Sequence, residues 1–138
     1  MRPIKFRAWD ASEKELVGWG ALIHDPDNWF NTMLLDVHED KSDVLMQYTG
    51  LKDKNGVEIY EGDYLRRFDS DGDRDIWLYE VRWQATIASF LMYKHAIPVL
   101  GHAAQELWFA DGSGLRYEVI GNIYENPDLL ETKKGDRE

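Results

Sequence analysis

Val57-Glu58-Ile59-Tyr60-Glu61-Gly62-Asp63-Tyr64-Leu65-Arg66 is the stretch whose reading decides the fold. Two short apolar runs flank Glu61-Gly62-Asp63. A glycine at that point predicts a sharp bend or bulge, because only a residue without Cβ turns there at little steric cost. The chain then enters a strand from Tyr64 to Phe68. Just upstream, Asn55-Gly56 has the composition of a tight reversal with positive φ. It closes a turn-rich connection, Thr49 to Gly56, that follows a strand over Val44–Tyr48. Downstream, Trp77, Tyr79, Val81 and Trp83 alternate with more polar neighbours up to Gln84, the period of a strand with one buried face. A second run from Thr86 to Tyr93 is apolar on both faces and reads as a central strand.

Outward from this centre the same pattern repeats. Ile4, Phe6 and Ala8 alternate with Lys5, Arg7 and Trp9, and Leu16, Val17 and Trp19 form the return strand of a hairpin across the polar turn Asp10–Lys14. Asp25-Pro26-Asp27-Asn28 is turn chemistry. The cluster Trp29, Phe30, Met33, Leu34 and Leu35 suits either a helical turn or a short strand, and residues 20–43 are otherwise unassigned. Residues 94–104, with Pro98 and Gly101, read as a loop. Leu107–Ala110 and Leu115–Ile123 read as a hairpin around Asp111-Gly112-Ser113-Gly114. Asn126 and Pro127 suit the N-cap and first position of a short terminal helix. The expected fold is therefore mainly β, a partly closed barrel or small packed sheets with extra hairpins and one or two short helices. It forms a single domain over residues 1–131, with 132–138 a frayed polar tail.

Composition narrows the function. The chain has 138 residues and six Trp, seven Tyr and five Phe, enough aromatic area for a real core. It has no Cys, which excludes a disulfide framework, thiolate metal sites and thiol nucleophiles. The basic N-terminus lacks the apolar run of a signal peptide, and no stretch is long and apolar enough to span a bilayer, so a cytoplasmic location is the expectation. The net charge of −10 argues against broad contact with a nucleic-acid backbone, which requires clustered Lys and Arg.

Residues able to carry chemistry are present but poorly arranged for it. Asp69, Asp71, Asp73 and Asp75 alternate as Ca²⁺ ligands do, yet Arg74 occupies the position where a Ca²⁺ loop turns on glycine, so a solvated loop is the simpler reading. His24, His38, His95 and His102 are scattered, without metal-ligand spacing, and read as surface or loop residues. No Gly-x-Ser-x-Gly elbow or phosphate-binding glycine loop occurs. Glu58 and Glu61 would need one raised pKa to act as an acid/base pair. No catalytic residue, metal site or cofactor is expected. Recognition by a surface remains. If Ile4 and Phe6 point inward, Lys5, Arg7 and Trp9 share the outer face of the first strand and, with Arg66, form a candidate surface for single-stranded nucleic acid. The Trp77/Tyr79/Trp83 stripe reads as core.

Three segments together resemble the YopX-like family, which is encoded by bacteriophages and prophages. They are Ile4–Asp10, Met46–Gly56 with Glu58–Asp63, and Glu118–Pro127, in the same order and spacing over nearly the whole chain. The resemblance implies a β-rich fold with an SH3-like barrel element and a phage lineage, and it brings no catalytic residues, cofactor or activity. The expected function is a phage accessory or regulatory module that binds a host or phage protein without catalysis. Its candidate partner surface is Thr49, Lys52, Asp53, Asn55, Glu61 and Asp63, where the turn and the Gly62 bend lie. An exposed sheet edge or the Trp29–Leu35 cluster is compatible with self-assembly.

Overall fold

The computed structural model describes residues 3–35, 42–68, 71–73, 78–85, 88–95, 105–107 and 116–131. The fold is mainly β, with two antiparallel sheets. One has the strand order β2-β1-β3-β4 and the other β8-β7-β6-β5-β9. The first contains β1 (Phe6–Asp10), β2 (Glu15–Val17), β3 (Val44–Lys52) and β4 (Glu58–Tyr60). The second contains β5 (Asp63–Arg67), β6 (Leu78–Gln84), β7 (Ser89–His95), β8 (Gln105–Leu107) and β9 (Tyr117–Asn122).

Gly62 joins the two. Its φ is +89°, and a Cβ placed there would lie 3.2 Å from the Met46 sulfur. The Gly62 N–H donates to the Val81 carbonyl (2.8 Å) while its own carbonyl accepts from Ile123 (2.9 Å). A chain that leaves β4 in one sheet therefore enters β5 in the other within two residues, the bend that the glycine predicts. Ile59, with the partly buried Leu51, then packs from the first sheet onto Leu65, Tyr79, Val81, Met92 and Tyr117 of the second. The sheets close over this shared core as a partly closed barrel. Each fully buried large side chain contributes about 1.5–3 kcal/mol.

Several local expectations are corrected. Trp19 does not continue β2. It opens helix α1 (Trp19–Ile23), and its ring meets Phe6 at 6.1 Å and, edge-on, Phe30 of helix α2 (Trp29–Leu34) at 5.2 Å. Packing the indole between Phe6 of β1 and Phe30 of α2 outweighs the strand preference of an isolated aromatic. Between the helices Asp25 accepts the N–H groups of Asp27 and Trp29, and Asn28 takes a left-handed φ of 59°. The expected Thr49–Gly56 connection is shorter than predicted, because β3 runs on to Lys52 through a bulge at Gly50 (φ +91°). The reversal itself is Asp53–Gly56, closed by Gly56 N–H to the Asp53 carbonyl at 3.0 Å.

Of the expected last hairpin, residues 108–115 lie outside the described residues, and the described strands on either side of them do not pair with each other. β8 pairs with β7, whereas β9 pairs with β5, so the two strands lie at opposite edges of the same sheet. An alternating pattern shows that a strand has two faces but not which neighbour it meets. Here the partner is selected by Asp53, whose carboxylate accepts the Val119 N–H (2.9 Å), and by Lys54 N–H donating to Tyr117 (2.9 Å). β7 is central, as its two-sided apolar content implies, with Leu91 and Met92 both buried. Tyr79 is core, but Trp83 is 46% exposed at the sheet's end, where it meets only Phe90 edge-on among described rings. Trp77 lies outside the described residues. The terminal helix is a 3-10 helix, Pro127–Glu131, with Pro127 first as expected and the Asn126 carbonyl accepting the Leu129 N–H at 3.1 Å. The Asn126 side chain turns back to accept the Asn122 N–H at 3.1 Å.

Candidate partner site at the sheet junction

The residues singled out in the sequence divide into framework and surface. Arg7, on β1, donates to the Asp63 carboxylate at 2.7 Å and to the Glu61 carbonyl at 3.3 Å, and its guanidinium lies 4.8 Å from the centre of the Tyr60 ring. Asp63 is fully buried and also accepts the Tyr60 N–H at 2.8 Å. Burial pushes the Asp63 carboxyl up, and the Arg7 charge and the Tyr60 hydrogen bond only partly offset it. The Arg7 Nε is buried with no hydrogen-bond partner among the described residues. The Phe6/Ala8 face of β1 is inward as expected, with Ala8 fully buried, but the opposite face is covered as well. Phe6 faces the helices, while Arg7 and Trp9, expected on the outer face, point toward the second sheet.

The same holds for most of the proposed partner surface. The Thr49 hydroxyl is buried, donating to the Ile59 carbonyl (2.8 Å) and accepting the Leu51 N–H (3.1 Å). Asp53 is 2% exposed and accepts three N–H groups, from Asn55, Val57 and Val119. The half-buried Glu61 accepts the Gln47 N–H at 3.0 Å, and burial raises its pKa. Only Lys52 and Asn55 of the six face solvent. Burial closes Thr49, Asp53 and Asp63 off from a partner. Of the proposed nucleic-acid surface, Lys5 is paired with Glu58 and lies over Tyr48. Arg66 stands half-buried on β5 opposite Glu118 of β9, in the other sheet from β1.

Two polar features carried no signal in the sequence. Glu80 is buried and accepts from His95 Nε2 (3.0 Å) and twice from Arg82 (2.9 and 3.0 Å). Burial pushes its carboxyl up, but the His95 and Arg82 hydrogen bonds together outweigh that and leave it below its ordinary value. His95 ends β7 and is 5% exposed, which corrects its reading as a surface or loop residue. Arg82 also lies 3.7 Å from the Tyr93 ring centre. His24 is on the surface, its ring bonded to the Gly20 carbonyl. His38, His102 and most of the Asp69–Asp75 loop lie outside the described residues. Among the described residues no group of three His, Asp or Glu could hold a metal ion.

The second feature is a cleft. Trp9 stacks on Tyr124 (centroids 5.6 Å apart, planes 20° apart), and with Ala11, Lys14 and Glu125 these rings line an open cleft where the β1–β2 turn faces the turn after β9. Both walls are fixed. In one, the Asp10 carboxylate accepts from Ser12 and Glu13, Lys14 N–H donates to the Asp10 carbonyl at 2.7 Å, and Ala11 N–H donates to Asp43 at 2.8 Å. In the other, the Asn122 side chain accepts the N–H groups of Tyr124 and Glu125 and donates to the Glu125 carboxylate at 2.9 Å. Gly121 is required here, since a Cβ would lie 2.5 Å from the Asn126 side-chain oxygen. Burial, then the Glu61 and Glu80 charges, push the Tyr124 phenol up.

All three segments that carry the family resemblance therefore meet at one junction of a small, two-sheet β protein, and the cleft is where that junction opens to solvent. The chain belongs to the YopX protein family, whose sequence profile matches residues 5–131. It is also similar to a solved structure, protein EF1440 from Enterococcus faecalis, at 30% identity with a TM-score of 0.54, covering 94% of this chain and 99% of that one. No curated protein matches it. No helix among the described residues is long and apolar enough to cross a membrane.

Proposed function

We propose that this YopX-family protein is a non-catalytic accessory module of phage or prophage origin, acting in the host cytoplasm by binding a protein partner. The observation that carries this reading is the cleft at Trp9, Lys14, Tyr124 and Glu125. It is the place where the junction presents aromatic rings and charged groups on rigid walls, and rigid walls lower the ordering cost of binding. The buried titratable groups support a framework role instead of catalysis: Asp63 is held by Arg7, and Glu80 by His95 and Arg82. A nucleic-acid role would need Lys5 and Arg7, and both are engaged within the fold.

The test is capture of a partner from phage-infected cells by the wild-type protein and by Lys14→Glu/Glu125→Lys, a variant confined to exposed positions. A protein retained by the wild type and lost by the variant is the expected result. Retention of nothing specific, or equal retention by both, would contradict the reading.

A further inference from the structure

The cleft's chemistry is specific enough to describe its ligand, on the reading that it faces a protein partner. The floor is a stacked indole and phenol, both partly exposed. On one wall the Glu125 carboxylate is aimed by the Asn122 amide, which engages one oxygen and leaves the other without a partner among the described residues. On the facing wall Lys14 has a left-handed φ of 57°, a conformation uncommon for lysine, and its ammonium makes no hydrogen bond or ion pair among the described residues. The two opposite charges do not pair with each other across the cleft.

We infer that the cleft takes an arginine side chain of the partner with an acidic residue beside it. A guanidinium is planar and weakly hydrated, so it lies flat on an aromatic ring while its edge donates to a carboxylate. The Trp9–Tyr124 floor and the fixed Glu125 supply those two elements side by side. An ammonium is more strongly hydrated and cannot lie flat on a ring while its edge donates to a carboxylate, so it fits the pair less well. Lys14 disfavours a run of positive charge and favours an adjacent carboxylate, so the ligand is dipolar and not polycationic. The net charge of −10 attracts the cationic end toward the protein, while Lys14 gives the acidic end its own place in the cleft.

The experiment titrates the isotope-labelled full chain with acetyl-Gly-Arg-Glu-Gly-amide, its Lys-for-Arg counterpart and its Gln-for-Glu counterpart, following the Trp9 indole N–H and the Ala11 and Glu125 amides by NMR. The Arg-Glu peptide is expected to shift these signals saturably, and the Lys peptide to bind about tenfold more weakly. Glu125→Gln is expected to weaken the Arg-Glu peptide about tenfold. Lys14→Met should abolish the preference for Glu over Gln after the arginine and leave the spectrum otherwise folded. No saturable shift with millimolar Arg-Glu peptide, or equal binding of the Arg and Lys peptides, overturns the assignment. If partner capture still depends on Lys14 and Glu125 while no peptide binds, the arginine assignment fails and the partner-binding reading stands.

Discussion

Arg7 on β1 and Asp63 at the head of β5 stand 2.7 Å apart, and this ion pair ties the first sheet to the second across the Gly62 corner. The two residues are far apart in sequence, and the bond leaves Asp63 with no exposed surface. A pair this buried is a poor source of net stability, because desolvation consumes most of its attraction, but breaking it is costly.

Removing Arg7 alone should therefore be severe. Arg7→Met leaves a carboxylate buried without its counter-charge and is expected to lower unfolding stability by about 3–5 kcal/mol. Asp63→Asn in the same chain keeps an acceptor for the Tyr60 N–H and removes the orphan charge, so Arg7→Met/Asp63→Asn should be more stable than Arg7→Met. Urea unfolding of the three proteins measures this, and a double variant no better than the single one would refute the latch.

Asp53 is expected to behave as a structural acceptor and not a contact residue. Asp53→Ala strands the N–H groups of Asn55, Val57 and Val119 and should cost about 2–4 kcal/mol. Lys52→Ala, one residue away and exposed, should change stability by less than about 0.5 kcal/mol. The contrast is read from the same urea curves, and similar losses at both positions would count against it.

The acid limb of stability divides between the two buried clusters. The Glu80 carboxyl is held below its ordinary 4.5, so the folded state binds its proton less readily than the unfolded chain does. The stability it contributes is fully present above that ordinary value and is lost as pH falls through the folded value. Asp63 and Glu61 are raised, so their ionisation opposes folding at neutral pH, and that penalty is relieved as pH falls through their folded values. Glu80→Gln should flatten the fall in the urea midpoint below pH 4.5, whereas Asp63→Asn should steepen it. The reverse ordering would show that the signs are wrong.

Gly62 and Gly121 should resist substitution for different reasons. Gly62→Ala forces a Cβ into a left-handed backbone beside the Met46 sulfur and is expected to cost about 1–2 kcal/mol. Gly121→Ala collides with the Asn126 side chain, so it should displace the 122–126 turn and weaken partner binding at the cleft as well as stability. Melting temperature and partner capture together separate the two, and normal capture by Gly121→Ala would contradict the role given to that turn.

These expectations also show how far the sequence could be read. The Gly62 bend and the Asn55-Gly56 reversal were legible because glycine at a turn has a local steric cause. The Tyr79–Val81 strand was legible because period two is local too. The pairing of β9 with β5 was not, since it depends on Asp53 reaching Val119 across the fold. The covering of the second face of β1 escaped for the same reason: Lys5, Arg7 and Trp9 look like an outer face until Asp63 and Tyr124 are placed opposite Arg7 and Trp9. His95 likewise looked like a loop residue until Glu80 supplied a buried acceptor. The candidate site was the least legible part. Trp9 was singled out, but Lys14, Tyr124 and Glu125 form a cleft only after two turns from opposite ends of the chain meet.

The most direct measurement of the central claim is site-specific photo-crosslinking in infected cells. A photoreactive residue replaces either Glu13, exposed in the β1–β2 turn next to the cleft residue Lys14, or Lys52, exposed at the end of β3. The account expects a discrete protein adduct from position 13, abolished by Lys14→Glu/Glu125→Lys in the same chain, and none from position 52. An adduct from position 52 alone, or one at position 13 that survives the double substitution, would contradict it.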